Sequence, residues 1–186
     1  LAAKHRSPTM SPLHWGRFVC NRPSRSEMAA IQEAEWTRAI SSEVIPEGEP
    51  IWVGLDVAWK WDTTAAVPFW WKDERHRLLG PAEILVPPRD GTSLDPHLVE
   101  DALLRIHMRN PIHTLVMDIS RAEQLAAWVA ETIGAEVIER PTSTTFAVQD
   151  HDRFMEALRN GWLKHSGDQG LTSHVLNAIA KTLPGG

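Results

Sequence analysis

Two short, largely apolar runs that each finish in an aspartate constrain this chain more than any other feature. Ile51-Trp52-Val53-Gly54-Leu55 leads into Asp56, and Ile112-His113-Thr114-Leu115-Val116-Met117 leads into Asp118. Runs of this length and character suit strands buried on both faces. If the two strands are parallel neighbours, both carboxylates emerge at the same edge of one sheet. An acid directly after an apolar run is costly to bury unless something binds it. Paired carboxylates at a sheet edge suit Mg²⁺ or Mn²⁺ and, through them, chemistry on phosphate. Asp62 follows in the connecting loop, ahead of Thr63 and Thr64, where it reads either as a helper acid or as a turn residue.

With 186 residues and 42% hydrophobic content, the chain is expected to form one globular domain with an appendage. No stretch approaches the roughly 18 uninterrupted apolar residues of a membrane span, and the first residues lack the apolar region of a signal peptide, so a soluble, cytoplasmic protein is expected. Cys20 stands alone, which excludes a disulfide framework or a cysteine zinc site built from this chain. A net charge of −5 argues against a general nucleic-acid coat while leaving room for an enzyme that meets DNA through one face. The basic residues crowd the N-terminal segment at Lys4, Arg6, Arg17, Arg22 and Arg25, a pattern read as a solvated face. Of the nine tryptophans, Trp59, Trp61, Trp70 and Trp71 sit near the first strand pair, where packing explains them more readily than base stacking.

Residues 1 to 47 hold Pro8, Pro12, Pro23 and Pro46 with one helical stretch from about Glu27 to Ile40, and read as an arm or linker. Pro46, Gly48 and Pro50 then punctuate the chain where a compact domain, 48 to 186, is expected to begin. Ile51 to Val57, Thr64 to Trp71 and Arg77 to Val86 form three antiparallel strands, with Pro68 demanding a bulge or irregularity. Asp95-Pro96 opens a helix. Strand four, Ile112 to Met117, leads into Ser120-Arg121-Ala122-Glu123, a capping box, and a helix that ends at Gly134. Ala135 to Glu139 is strand five, parallel to strand four. Further helices are expected from about Val148 to Asn160 and around Leu171 to Ile179. The result is α/β: a mixed five-stranded sheet, three antiparallel strands then two parallel, flanked by helices in the arrangement of the RNase H fold. The chain stops at Leu183-Pro184-Gly185-Gly186 directly after a helix, which reads as an interrupted domain.

At this point the residues resemble a family. Val53-Gly54-Leu55-Asp56 with Asp62-Thr63-Thr64-Ala65, then Val116-Met117-Asp118, then Phe154-Met155-Glu156-Ala157-Leu158 through Gly161, His165, Leu171 and His174-Val175-Leu176-Asn177-Ala178, look like the nuclease domain of phage large terminase subunits. Trp15-Gly16-Arg17-Phe18 and Asn21 are similar to the segment that joins the motor ATPase to the nuclease, so the resemblance covers about residues 15 to 181. It implies a metal-dependent endonuclease that cuts concatemeric double-stranded viral DNA in the host cytoplasm, at the procapsid portal vertex. It also implies a terminase small subunit and a portal protein as partners, and an ATPase domain in the full-length protein. No G-x-x-x-x-G-K-[ST] run occurs here, so the motor's phosphate cradle is not in this stretch. The family places a further acid beyond the segment resembling Leu171 to Lys181, where this chain ends.

Hydrolysis of a phosphodiester needs an activated water, a stabilised pentacoordinate phosphate and a neutralised leaving oxygen, and two divalent ions about 4 Å apart supply all three. Asp56 and Asp118 are the expected ligands for Mg²⁺ or Mn²⁺, with Asp62 as a possible third catalytic acid. Asp168 reads as a turn residue and Ser120 as a helix cap, while Glu123 is near enough to Asp118 to assist. His165 and His174 are more readily surface or capping residues than phosphate contacts. Two other readings stand beside the nuclease: a catalytically silent DNA- or portal-docking module, and another RNase H-like enzyme of the resolvase or transposase type.

Overall fold

The computed structural model describes residues 29–88, 90–141 and 143–180. The basic cluster from Lys4 to Arg25, Cys20, the segment Trp15 to Asn21, the first residues of the expected arm helix and the end of the chain from Lys181 lie outside the described residues. In chain order the elements are helix α1 (Glu33–Arg38), strands β1 (Ile51–Asp56), β2 (Thr64–Asp73), β3 (His76–Leu79) and β4 (Glu83–Leu85), helix α2 (Pro96–Arg109) and strand β5 (Ile112–Met117). A 3-10 turn (Ile119–Arg121), helix α3 (Glu123–Trp128) with a π-helical continuation (Val129–Ile133), strand β6 (Glu136–Glu139), helix α4 (Thr144–Arg159), strand β7 (Leu163–His165) and helix α5 (Gln169–Leu176) complete the described chain.

The strands form one mixed sheet of seven, ordered β6-β5-β1-β2-β3-β7, with β4 paired to β2. β1 runs antiparallel to β2 and parallel to β5, and β5 runs parallel to β6. The sheet therefore has seven strands rather than the five read from the sequence. One of the two additional strands is β7, three residues long, too short to show a period. The other arises because the expected third strand, Arg77 to Val86, divides at Gly80-Pro81 into β3 and β4.

Pro68 explains that division. It does not disturb the β1 ladder, where Val53 pairs with Pro68 in continuous register, so the expected bulge is absent there. Its carbonyl accepts from Gly80 N at 2.9 Å, on the side of β2 away from β1. A strand residue's N–H points to the same side as its carbonyl. The missing donor thus falls where the outer ladder passes from β4, paired to 64–66, to β3, paired from Phe69 onward. Gly80 suits this crossing, because a Cβ there would stand 3.0 Å from Pro68 Cβ and 3.1 Å from Ile45 Cδ1, close enough to make those neighbours shift. The irregularity in β2 lies later, between Trp71 and Asp73.

Strand alternation sends neighbouring residues to opposite faces and so builds two cores. Val53, Leu55, Ala66, Leu78, Leu115 and Met117 face α2 and α3 in the larger cluster, with Val99, Leu103, Leu125 and Val129. Val67 and Leu79 face the smaller cluster, made by Ile31, Trp36, Ala39, Met155, Leu158 and Leu171 from the α1, α4 and α5 region. Trp36 is fully buried and stacks on His165 with ring centroids 3.7 Å apart. Its indole N–H donates to Thr172 Oγ1 at 3.0 Å. α1 is shorter than the expected Glu27 to Ile40 stretch, and α4 starts at Thr144 rather than about Val148 because Ser143 Oγ accepts from Phe146 N and caps it there.

Candidate active site

The ladder between β1 and β5 sets the geometry. Val53 pairs with Leu115, Gly54 with Val116 and Leu55 with Met117 in parallel register. Asp56 and Asp118 are each the next residue after the Leu55–Met117 pair, so both aspartates stand at the same edge of adjacent strands. Leu55 and Met117 point into the large core, and alternation turns the two aspartates to the opposite face. Asp56 is solvent-exposed and Asp118 half-buried. Asp56 also pairs with Ala65 of β2, and β2 begins at Thr64, so the connecting loop 57–63 rises from the same edge and carries Asp62 there. Asp62 is exposed, and its Oδ1 accepts from Thr63 N at 2.9 Å.

Asp118 is held by its own turn. Its Oδ1 accepts from Ser120 N at 3.2 Å and from Ser120 Oγ at 2.5 Å, which makes Asp118 the cap of the 3-10 turn. The expected capping box from Ser120 to Glu123 does not form: α3 is preceded by Ala122, with no side-chain cap. The acid won because it sits two residues before Ser120 N in an Asx-type turn, and Ser120 became its donor instead. The two bonds fix the orientation of the Asp118 carboxylate. A cleft of about 500 Å³ opens beside the turn, walled by Trp59, Glu100, Ser120, Glu123 and Gln124. At its α2 end Glu100 accepts from His97 at 2.7 Å, and that contact holds the exposed imidazole's pKa above its ordinary value.

Among the described residues no group of three or more His, Cys, Asp or Glu side chains is gathered to hold a metal ion. The donor set at the edge is two carboxylates, hard oxygen ligands of the kind Mg²⁺ and Mn²⁺ take. Mg²⁺ commonly binds through one or two carboxylates and keeps several waters, so this pair fits such a cation. The remaining sequence candidates lie elsewhere. His165 is buried at the far end of β7: Nε2 donates to Trp36 O at 3.0 Å and Nδ1 accepts from Gly167 N at 3.1 Å. Burial holds its pKa below the ordinary imidazole value. Asp168 caps α5 through Leu171 N at 2.7 Å, and His174 is exposed in the last turn of that helix.

Sequence reasoning missed one feature of this edge. Trp59 and Trp70 pack against the large core as expected, but Trp61, on the loop at this edge, is 70% exposed; Trp71, at the opposite end of β2, is 46% exposed. Trp61 differs from the packed tryptophans in its sequence setting, between Lys60 and Asp62 rather than within an apolar run. That setting was the available signal.

No protein-family profile and no curated protein matches the chain. Solved structures do. The chain is similar to the HK97 bacteriophage large terminase, with a TM-score of 0.66 and 19% identity over 81% of this chain and 36% of that one. It is similar to a large terminase from a thermophilic bacteriophage at TM-score 0.55 and 11% identity, over 74% of this chain and 32% of that one. The large terminase nuclease of thermophilic phage G20c, solved with bound magnesium, matches at TM-score 0.55 and 13% identity, over 77% of this chain and 73% of that one. The chain thus spans about a third of the first two terminases. No helix among the described residues is long and apolar enough to cross a membrane. The mixed sheet, its strand order and these matches together give the chain the RNase H-like fold of the large-terminase nuclease domain.

Proposed function

We propose that this chain is a metal-dependent endonuclease domain of a phage large terminase subunit, hydrolysing double-stranded viral DNA. The observation that carries the reading is the β1–β5 register, which leaves Asp56 and Asp118 side by side at one sheet edge. In this reading Asp56 and Asp118 hold Mg²⁺ or Mn²⁺, with two ions as the working number. When bound, the cation supplies Lewis-acid activation of water and charge neutralisation at the phosphate. Ser120 fixes the orientation of Asp118 through its hydroxyl. Asp62, on the loop that leaves the same edge, accepts a proton or steadies a water in this reading. No side-chain nucleophile is required. The magnesium bound in the G20c nuclease supports the choice of a hard divalent ion.

The wider setting belongs to the same proposal: an ATPase domain ahead of this one, residues 1 to 47 as a connection that packs onto this domain through α1, a small subunit and a portal as partners, and packaging in the infected host's cytoplasm. A second reading, a catalytically silent docking module, draws on the absence of a three-acid cluster among the described residues. Plasmid nicking in Mn²⁺ separates them. Nicking by the wild-type chain that disappears in Asp56→Asn and Asp118→Asn supports the nuclease. DNA binding with no nicking at any Mn²⁺ concentration supports the module instead.

A further inference from the structure

We propose that Lys60 and Trp61 form a DNA-contacting tip that positions the strand over the Asp56–Asp118 edge, an inference that rests on the nuclease reading above. The loop is fixed at both shoulders. Thr64 Oγ1 accepts from Ala58 N and donates to Ala58 O, each at 3.0 Å, and Leu94 N donates to Trp59 O at 2.6 Å. Lys60, Trp61 and Asp62 project beyond these anchors and are all exposed. The loop leaves β1 directly after Asp56 and returns at Thr64, beside the Ala65 that pairs with Asp56. The tip therefore stands at the carboxylate edge and not elsewhere on the sheet.

An indole 70% exposed forgoes most of the burial that usually keeps tryptophan inside. The backbone from which it projects is held on both sides by these anchors. The residues beside it favour one partner chemistry. A protein interface is marked by a contiguous apolar patch, whereas Trp61 is a single indole flanked in sequence by Lys60 and Asp62. An aromatic face beside an ammonium matches the sugar edges and phosphates that a duplex presents outside its stacked bases. Trp61 packs on a nucleotide and Lys60 pairs with a neighbouring phosphate, so that the scissile phosphate is registered over the aspartates. These are positioning residues.

The test uses the whole chain and a labelled duplex, with binding followed by fluorescence anisotropy in metal-free buffer and nicking followed in Mn²⁺. Trp61→Ala is expected to weaken binding about 5-fold or more, as for the loss of roughly 40 Å² of apolar contact with the duplex, and to raise KM for nicking while kcat holds. Trp61→Phe should recover most of the affinity, and the melting temperature of both variants should equal wild type. Lys60→Gln should lower the slope of log affinity on log salt by about one, and Trp61→Ala should leave that slope alone. If Trp61→Ala binds and nicks like an active wild type, the indole belongs to a protein contact and the inference is overturned while the nuclease stands. If the wild-type chain neither binds duplex nor nicks it, the inference and the nuclease reading fall together.

Discussion

Replacing Trp36 tests where the functional unit begins. The punctuation at Pro46, Gly48 and Pro50 suggests a domain starting near residue 48, yet Trp36 is fully buried against β7 and α4. Its indole stacks on His165 at 3.7 Å and on Phe154 at 6.4 Å, and donates to Thr172 at 3.0 Å. Truncating a fully buried tryptophan to alanine costs about 3–5 kcal/mol, most of it lost transfer energy and an incompletely collapsed cavity. A domain of this size loses about 2–4 °C of melting temperature per kcal/mol, so Trp36→Ala should melt roughly 6–20 °C below wild type. Trp36→Phe keeps a ring on His165 and loses the bond to Thr172, and should fall only about 1 kcal/mol beyond its smaller burial. A chain starting at residue 48 lacks Ile31, Trp36, Ala39 and Ile45 together, all buried, and should not fold cooperatively. Circular dichroism melts measure all three. A Trp36→Ala melt within about 2 °C of wild type, below the smallest loss that a buried indole implies, would refute the assignment of α1 to the core.

Three further outcomes follow from the same packing. Burial holds the folded-state pKa of His165 below its ordinary value of 6.5, so the ring is neutral in both states above that value. As pH falls, the unfolded chain takes up the proton first, and stability drops through 6.5 and on through the lower folded-state pKa. Urea midpoints at pH 7.5 and at pH 5 should differ in wild type and converge in His165→Gln, and an unchanged difference in the variant would exclude His165 as the cause. If Asp56 and Asp118 hold a cation, saturating Mn²⁺ at about 100 times its Kd should add about 2.7 kcal/mol of stability, seen as a raised melting temperature that vanishes in Asp56→Asn. Gly80→Ala should cost about 1–3 kcal/mol by overpacking, since the new Cβ meets Pro68 and Ile45 at 3.0 and 3.1 Å; a neutral substitution would show that this crossing is looser than drawn.

The legible parts of this fold were those in which one residue type has one physical use. Apolar runs ending in acids gave β1 and β5, Asp95-Pro96 gave the start of α2, and Gly134 in the left-handed conformation gave the end of the helical segment before β6. The strand ends that carry Asp56 and Asp118 were legible in this way, while their adjacency was a condition that the parallel β1–β5 register supplies. What escaped was competition between neighbours. Ser120 had a good local partner in Glu123 on paper, and an acid two residues upstream took it. Pro68 was expected to damage its own strand, and instead its missing donor fell on the outer side, where it divides the partner strand. His165 looked like a surface residue until α1, more than a hundred positions earlier, supplied an indole and a carbonyl to bury it. Trp61 is the opposite case: residue type argued for burial, its place between Lys60 and Asp62 argued against it, and the anchors at Ala58, Trp59 and Thr64 hold the loop from which it projects. Each miss concerns a side chain whose partner is chosen in three dimensions, which is also why the carboxylate edge could be located from sequence while the tip that serves it could not.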